Sequence, residues 1–153
     1  MGNVIGPVMP SVIGEYQISL ATAGMVFTAL GLGKIVAVFS TSSWSDRVGR
    51  KPVMRLGGIL MVIGAIGYGI SPVWFGHILS AVVPGAGSGM LDGASNALVS
   101  DLYTEKRGLA LNRLHVFFGL GSLIGPLVAA FFLGVVHSWR LLFVTIAYSA
   151  SLS

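Results

Sequence analysis

The sequence predicts an all-α, polytopic membrane helical bundle, and three observations carry that prediction. Of 153 residues, 54% are hydrophobic and only 9% charged, with a mean hydropathy of +0.88, whereas soluble domains carry about 25% charged residues. The apolar residues fall into six runs separated by short polar or Pro/Gly-marked breaks. Twenty-two glycines would weaken soluble helices, but in lipid they let backbones approach where no hydrophobic effect drives helices together.

The segments run in order over residues 1–13, 20–41, 55–71, 74–99, 110–133 and 139–153. A helix rises 1.5 Å per residue and must cross ~30 Å of hydrocarbon, so the four internal segments are long enough to span. The first and last cover only about 20–22 Å, and the expectation is that the chain starts and stops inside its first and sixth helices. Met1 opens inside an apolar run with no basic stretch and no small-residue cleavage site, which argues against a signal peptide.

Lys and Arg decide orientation. Arg47, Arg50, Lys51 and Arg55 follow the second segment, and Lys106, Arg107 and Arg113 follow the fourth, whereas the alternate breaks hold only Arg140. The bias places the 42–54 and 100–109 loops, and both chain ends, in the cytoplasm, with the plasma (inner) membrane as the expected location. Lys34 is the remaining basic residue, and it stands inside the second segment.

Several function classes are disfavoured. The chain has no Cys, so it offers neither disulfides nor thiolate metal sites. No Gly-x-Ser-x-Gly, HExxH or phosphate-cradling P-loop occurs. Gly31-Leu-Gly33 lies within a spanning run with no preceding strand. The net charge of +4 follows from the orientation bias and does not point to nucleic acid. The sequence predicts no enzyme, no metal and no cofactor beyond a coupling proton.

The polar residues inside the membrane are the candidate site. Asp92 lies near the middle of the fourth segment, where an acid is costly unless it faces protein or a water-filled cavity. Burial disfavours its carboxylate, which suits proton exchange near neutral pH; the alternative is a carboxyl that merely bonds two helices together. Asn96 lies one turn on and shares its face. Asn112 and His115, with Gly119 and Ser122, form a polar stripe on the fifth segment. Groups that both donate and accept suit sugar hydroxyls, although a structural His115 is the competing reading. Lys34 either lines the cavity or pairs with an acid such as Asp92. His77 and His137 are read as external-loop residues without a role. Gly85, Gly89 and Gly93, and Gly121 with Gly125, recur every fourth residue as small-residue packing faces. Pro84 and Pro126 are candidate kinks.

One break is denser in charge than the rest. "WSDRVGRKP", residues 44–52, holds Asp46, Arg47, Arg50 and Lys51. It orders an acid at a helix end, a Gly that permits a tight turn, and a basic pair before a Pro at the next helix start. This loop resembles the signature loop of the major facilitator superfamily of secondary transporters, which are built from two six-helix halves. The resemblance implies an amino-terminal six-helix half. It further implies that Asp46 caps a helix of the opposite half, and that Arg50, among Arg47, Gly49, Arg50 and Lys51, pairs with Asp101 in a cytoplasmic latch. The family pattern has Gly where this chain has Ser42.

"GMLDGASNALVSDLY" and "LALNRLHVFFGLGSLIGPLVAAFF" together resemble the fucose and hexose permease branch, proton symporters for sugars. That likeness implies roles for Asp92, Asn96, Asn112 and His115 in binding and proton coupling. Asn3 matches an Asn of the branch, while Gly6 stands where its members carry an Asp. The expected function is proton-coupled, alternating-access transport of a small polar solute, a sugar by this likeness. The expected partners are the lipid bilayer and either a carboxy-terminal half or a second copy of this chain. A drug or metabolite exporter on the same fold is one alternative, and a non-transporting membrane half-protein that only packs or assembles is another.

Overall fold

The computed structural model describes residues 2–136 and 138–151, without the side chains of Gly2, Ser42, Val136 and residues 149–151. The described chain folds into six helices: α1 (Gly2–Tyr16), α2 (Leu20–Val48), α3 (Arg50–Ile70), α4 (Trp74–Leu102), α5 (Arg107–Val136) and α6 (Trp139–Ser151). The architecture is an all-α half-bundle. His137 and the side chain of Ser42, both singled out in the sequence, lie outside the described residues.

Helices run past the apolar segments that predict them. The expected 42–54 loop shrinks to one residue, because α2 continues to Val48 and α3 starts at Arg50. Polarity marks where the apolar run ends; it does not break a helix, and from Ser42 to Val48 no residue does. Gly49 does break it, with φ 90° and ψ 163°, a backbone region open in practice to Gly alone. Its N–H still closes onto the Ser45 carbonyl at 3.0 Å. Likewise the 100–109 loop contracts to residues 103–106. At the other end α2 is capped by Ser19, whose hydroxyl accepts from the Thr22 N–H at 3.1 Å.

Among the described residues, three helices are long and apolar enough to cross a membrane: Leu20–Thr41, Arg50–Ile70 and Arg107–Val135. With 29 residues, α4 is as long as α2, but its Gly, Ser and Asp residues lower its hydropathy.

Glycine sets the packing. α4 lies between α2 and α3, and two of its faces are nearly bare backbone. A Cβ at Gly85 would collide with the Leu30 carbonyl, and one at Gly89 with the Lys34 carbonyl and the Ala37 side chain. On the other side, Gly87 and Gly57 approach through each other's carbonyls, and Pro84 fills the space left by Gly64. The small-residue face of α4 is thus the α2 seam. Gly121 on α5 departs from that expectation, because it meets open space, and only Gly125 reaches a neighbour, Val4 of α1.

A second packing centre lies toward the end of the bundle opposite Gly49. Ile5, Val8, Met9 and Val12 of α1 cluster there with Val26, Tyr68, Ala81, Leu142 and Phe143. Most of α5 stays exposed, with Phe117, Leu123, Leu127 and Phe131 each more than half accessible. That apolar surface needs lipid or another protein against it.

Candidate functional site

The close approach at Gly89 positions the charged centre of the half-bundle. With the Lys34 backbone drawn against α4 there, its side chain reaches along the helix to Asp92, and Lys34 Nζ lies 2.6 Å from Asp92 Oδ2. The pair is partly accessible, 44% for the Lys34 side chain and 34% for that of Asp92. It faces a cleft of about 460 Å³ walled by four helices: Asn3 from α1, Leu30 and Lys34 from α2, Ser88, Asp92 and Asn96 from α4, and His115, Phe118 and Ser122 from α5.

The spacing explains the wall. Ser88, Asp92 and Asn96 recur every four residues and present one helical face, turned a residue away from the glycines that face α2. His115, Phe118 and Ser122, spaced three and four apart, share a face of α5, with His115 tilted against Phe118 at 6.3 Å between ring centres. Ser88 returns its hydroxyl to the Gly85 carbonyl at 2.8 Å. Asn96 Oδ1 is buried and has no hydrogen-bond partner among the described residues, a state that usually costs ~1–3 kcal/mol.

The structure gathers Asp92, Asn96, His115, Asn3 and Lys34 into this cleft. It does not bring Asn112 there: Asn112 is exposed and is absent from the lining. Lys34 takes both roles that the sequence left open, lining the cleft and pairing with Asp92.

At the Gly49 end, Arg50 ties two helix ends together. Its Nε donates to Asp101 Oδ2 at 3.1 Å, and its Nη1 donates to Asp46 Oδ1 at 2.6 Å and to the Ser45 hydroxyl. Asp46 therefore engages Arg50 of its own chain and remains 61% exposed. Arg47 and Lys51 point outward, exposed.

The opposite end holds a cluster that the sequence reading missed. Arg140 of α6 donates from Nη2 to Glu15 Oε1 at 2.6 Å and to the Tyr16 hydroxyl at 2.7 Å, and from Nη1 to the Ser71 carbonyl at 3.0 Å. Trp139 Nε1 donates to Glu15 Oε2 at 2.7 Å, and the Arg140 guanidinium lies 4.8 Å from the Trp139 ring centre. The Arg140 hydrogen bond holds the Glu15 carboxyl below its ordinary range, against a smaller opposing push from desolvation. His77 belongs here as well. It is no loop residue: it is fully buried within α4, 2.9 Å from the Tyr16 hydroxyl and packed against Tyr68 at 4.7 Å between ring centres. A signal was available: Glu15 and Arg140 are opposite charges at the same ends of the first and sixth segments.

The chain matches one protein family along its whole length. A model described as Major Facilitator Superfamily matches residues 1–153. Among curated proteins, "Protein TsgA" of Salmonella typhi is 30% identical over 142 residues, covering 89% of this chain and 35% of that protein. The proteins of the same name from Salmonella typhimurium and Salmonella paratyphi C are 29% identical over the same length and coverage. The chain thus spans about a third of the length of the curated relatives it matches.

Proposed function

This chain belongs to the major facilitator superfamily and is an integral membrane protein, and from that premise we propose that it forms the amino-terminal half of a secondary active transporter for a small polar solute. Members of the family are transporters rather than enzymes. One observation carries the reading: an ion pair, Lys34 with Asp92, lies on the wall of a polar cleft inside an otherwise apolar helical bundle. Ionisable groups at membrane depth are costly and mark solute or proton pathways, and the cleft volume falls in the range of small-molecule sites.

In this reading the two halves rock about a midplane site. Asp92 exchanges a proton, and Asn3, Asn96 and His115 bind the solute by hydrogen bonds that donate and accept. A sugar fits that chemistry, in keeping with the likeness to the fucose and hexose permeases. Asn112, exposed and off the wall, is left outside the site. Arg50, Asp46 and Asp101 form the latch at the cytoplasmic face, with both ends of this half on that side of the plasma membrane. The remaining wall comes from a carboxy-terminal half, or from a second copy of this chain.

Uptake of radiolabelled hexoses and hexose acids into proteoliposomes holding the full-length protein, under an imposed pH gradient, tests this reading. Gradient-driven accumulation of a polar solute supports it. If no polar solute accumulates while expression raises drug resistance in cells, the exporter alternative takes its place.

A further inference from the structure

The charge balance of the cleft narrows the solute class. Lys34 and Asp92 form the ion pair on its wall, one from α2 and one from α4. His115 of α5 is the other titratable group on its wall, and α1 contributes only the neutral Asn3. With both charges present the site is neutral. When Asp92 takes up a proton, the Lys34 ammonium loses its counter-charge, and no other acid lines the cleft among the described residues.

An unpaired cation at membrane depth is unfavourable, and a neutral sugar brings nothing that replaces the lost carboxylate. A carboxylate-bearing solute does. We infer that the site takes a small polar monoanion, a sugar acid or similar hydroxy-carboxylate, whose carboxylate replaces that of Asp92 at Lys34 once Asp92 is protonated. This inference rests on the transporter reading above and names its substrate class.

The coupling follows from electrostatics alone. While Asp92 is ionised, Lys34 is occupied and a second carboxylate is repelled, so the anion does not enter. Protonation of Asp92 frees Lys34, and by linkage a bound anion raises the proton affinity of Asp92 by the same factor. One proton and one monoanion move together, and no net charge crosses the membrane. After both leave, the Lys34–Asp92 pair closes again, and the empty site returns neutral. Asn3, Asn96 and His115 remain for the hydroxyl groups of the solute.

The test uses full-length transporter in proteoliposomes and compares radiolabelled D-gluconate and D-glucuronate with D-glucose and L-fucose. Each is offered under an inward proton gradient, with and without an imposed membrane potential. The inference predicts accumulation of an acid, insensitive to potential, and little accumulation of the neutral sugars. Lys34→Gln should lower acid uptake roughly tenfold or more, and Lys34→Arg should recover much of it, which separates a lost charge from a misfolded protein. Acid affinity should also rise as pH falls, and in Asp92→Asn it should become high and lose most of its pH dependence, His115 being the titratable group left on the wall. Accumulation of neutral sugar with exclusion of the acids overturns this inference and leaves the transporter reading standing. Acid uptake driven by potential, or left unchanged in Lys34→Gln, also overturns it. Failure to move any of the four solutes counts against both.

Discussion

Asp92 is the residue on which most depends, and its partner makes its role testable. Asp92→Asn should abolish pH-gradient-driven accumulation, a loss of tenfold or more by order of magnitude, while solute exchange across an equilibrated membrane stays measurable. Unchanged accumulation would remove Asp92 from coupling. Glu15 makes a different kind of prediction. Its folded carboxyl is held below the ordinary range by Arg140, so its contribution is complete at neutral pH and is lost as pH falls through that lowered value. The pair is partly exposed, which limits it to about 0.2–1 kcal/mol. Thermal melts in detergent should therefore show the native protein losing part of its margin over Glu15→Gln between neutral and acidic pH, and a constant margin would contradict the assignment. At this scale the sequence was legible where a polar residue stood alone in an apolar run, as Asp92, Lys34 and His115 do. It misled at His77, because a His near a helix start reads like a loop residue until its aromatic neighbours Tyr16 and Tyr68 are known, and it did not say how far along α5 the cleft extends, which leaves Asn112 outside the lining.

Among the elements, α4 organises the half-bundle, because glycine bares one face to α2 and another to α3 while the polar face between stays open to the cleft. Gly85→Leu would drive a side chain into the Leu30 carbonyl, and overpacking of this kind costs ~1–3 kcal/mol. The same change at Gly121, which faces open space, should leave the melting temperature nearly unaltered; equal losses at both positions would refute the seam. In the proposed reading, the α2–α3 connection carries the latch. In the full-length protein, Asp46→Asn should slow the transport cycle several-fold with little change in equilibrium solute affinity, as pre-steady-state exchange and binding measured side by side would reveal. A large loss of affinity would place Asp46 in the binding site instead. The four internal helices were legible from the length of their runs, three of them also from hydropathy. Their ends were not, since a helix such as α2 continues through Ser, Trp, Asp and Arg until Gly49 turns the chain.

For the whole molecule, the exposed apolar length of α5 and the one-sided cleft belong together. In the proposed reading both belong to a half that meets lipid or a second half, with the Lys34–Asp92 pair on the open side of the cleft. The fold was legible because lipid imposes length, hydropathy and charge asymmetry on the sequence. The clamp of Glu15, Tyr16 and Arg140 was not, because it joins residues more than a hundred positions apart. The central claim is that this cleft is a solute pathway opened to each side of the membrane in turn. This chain contains no Cys, so a single Ser122→Cys, in a full-length protein without other cysteines, can report it through membrane-impermeant thiol reagents applied from either side. The account predicts labelling from both sides and protection by the transported solute. Labelling from one side only, with no effect of any solute that the protein accumulates, would contradict it.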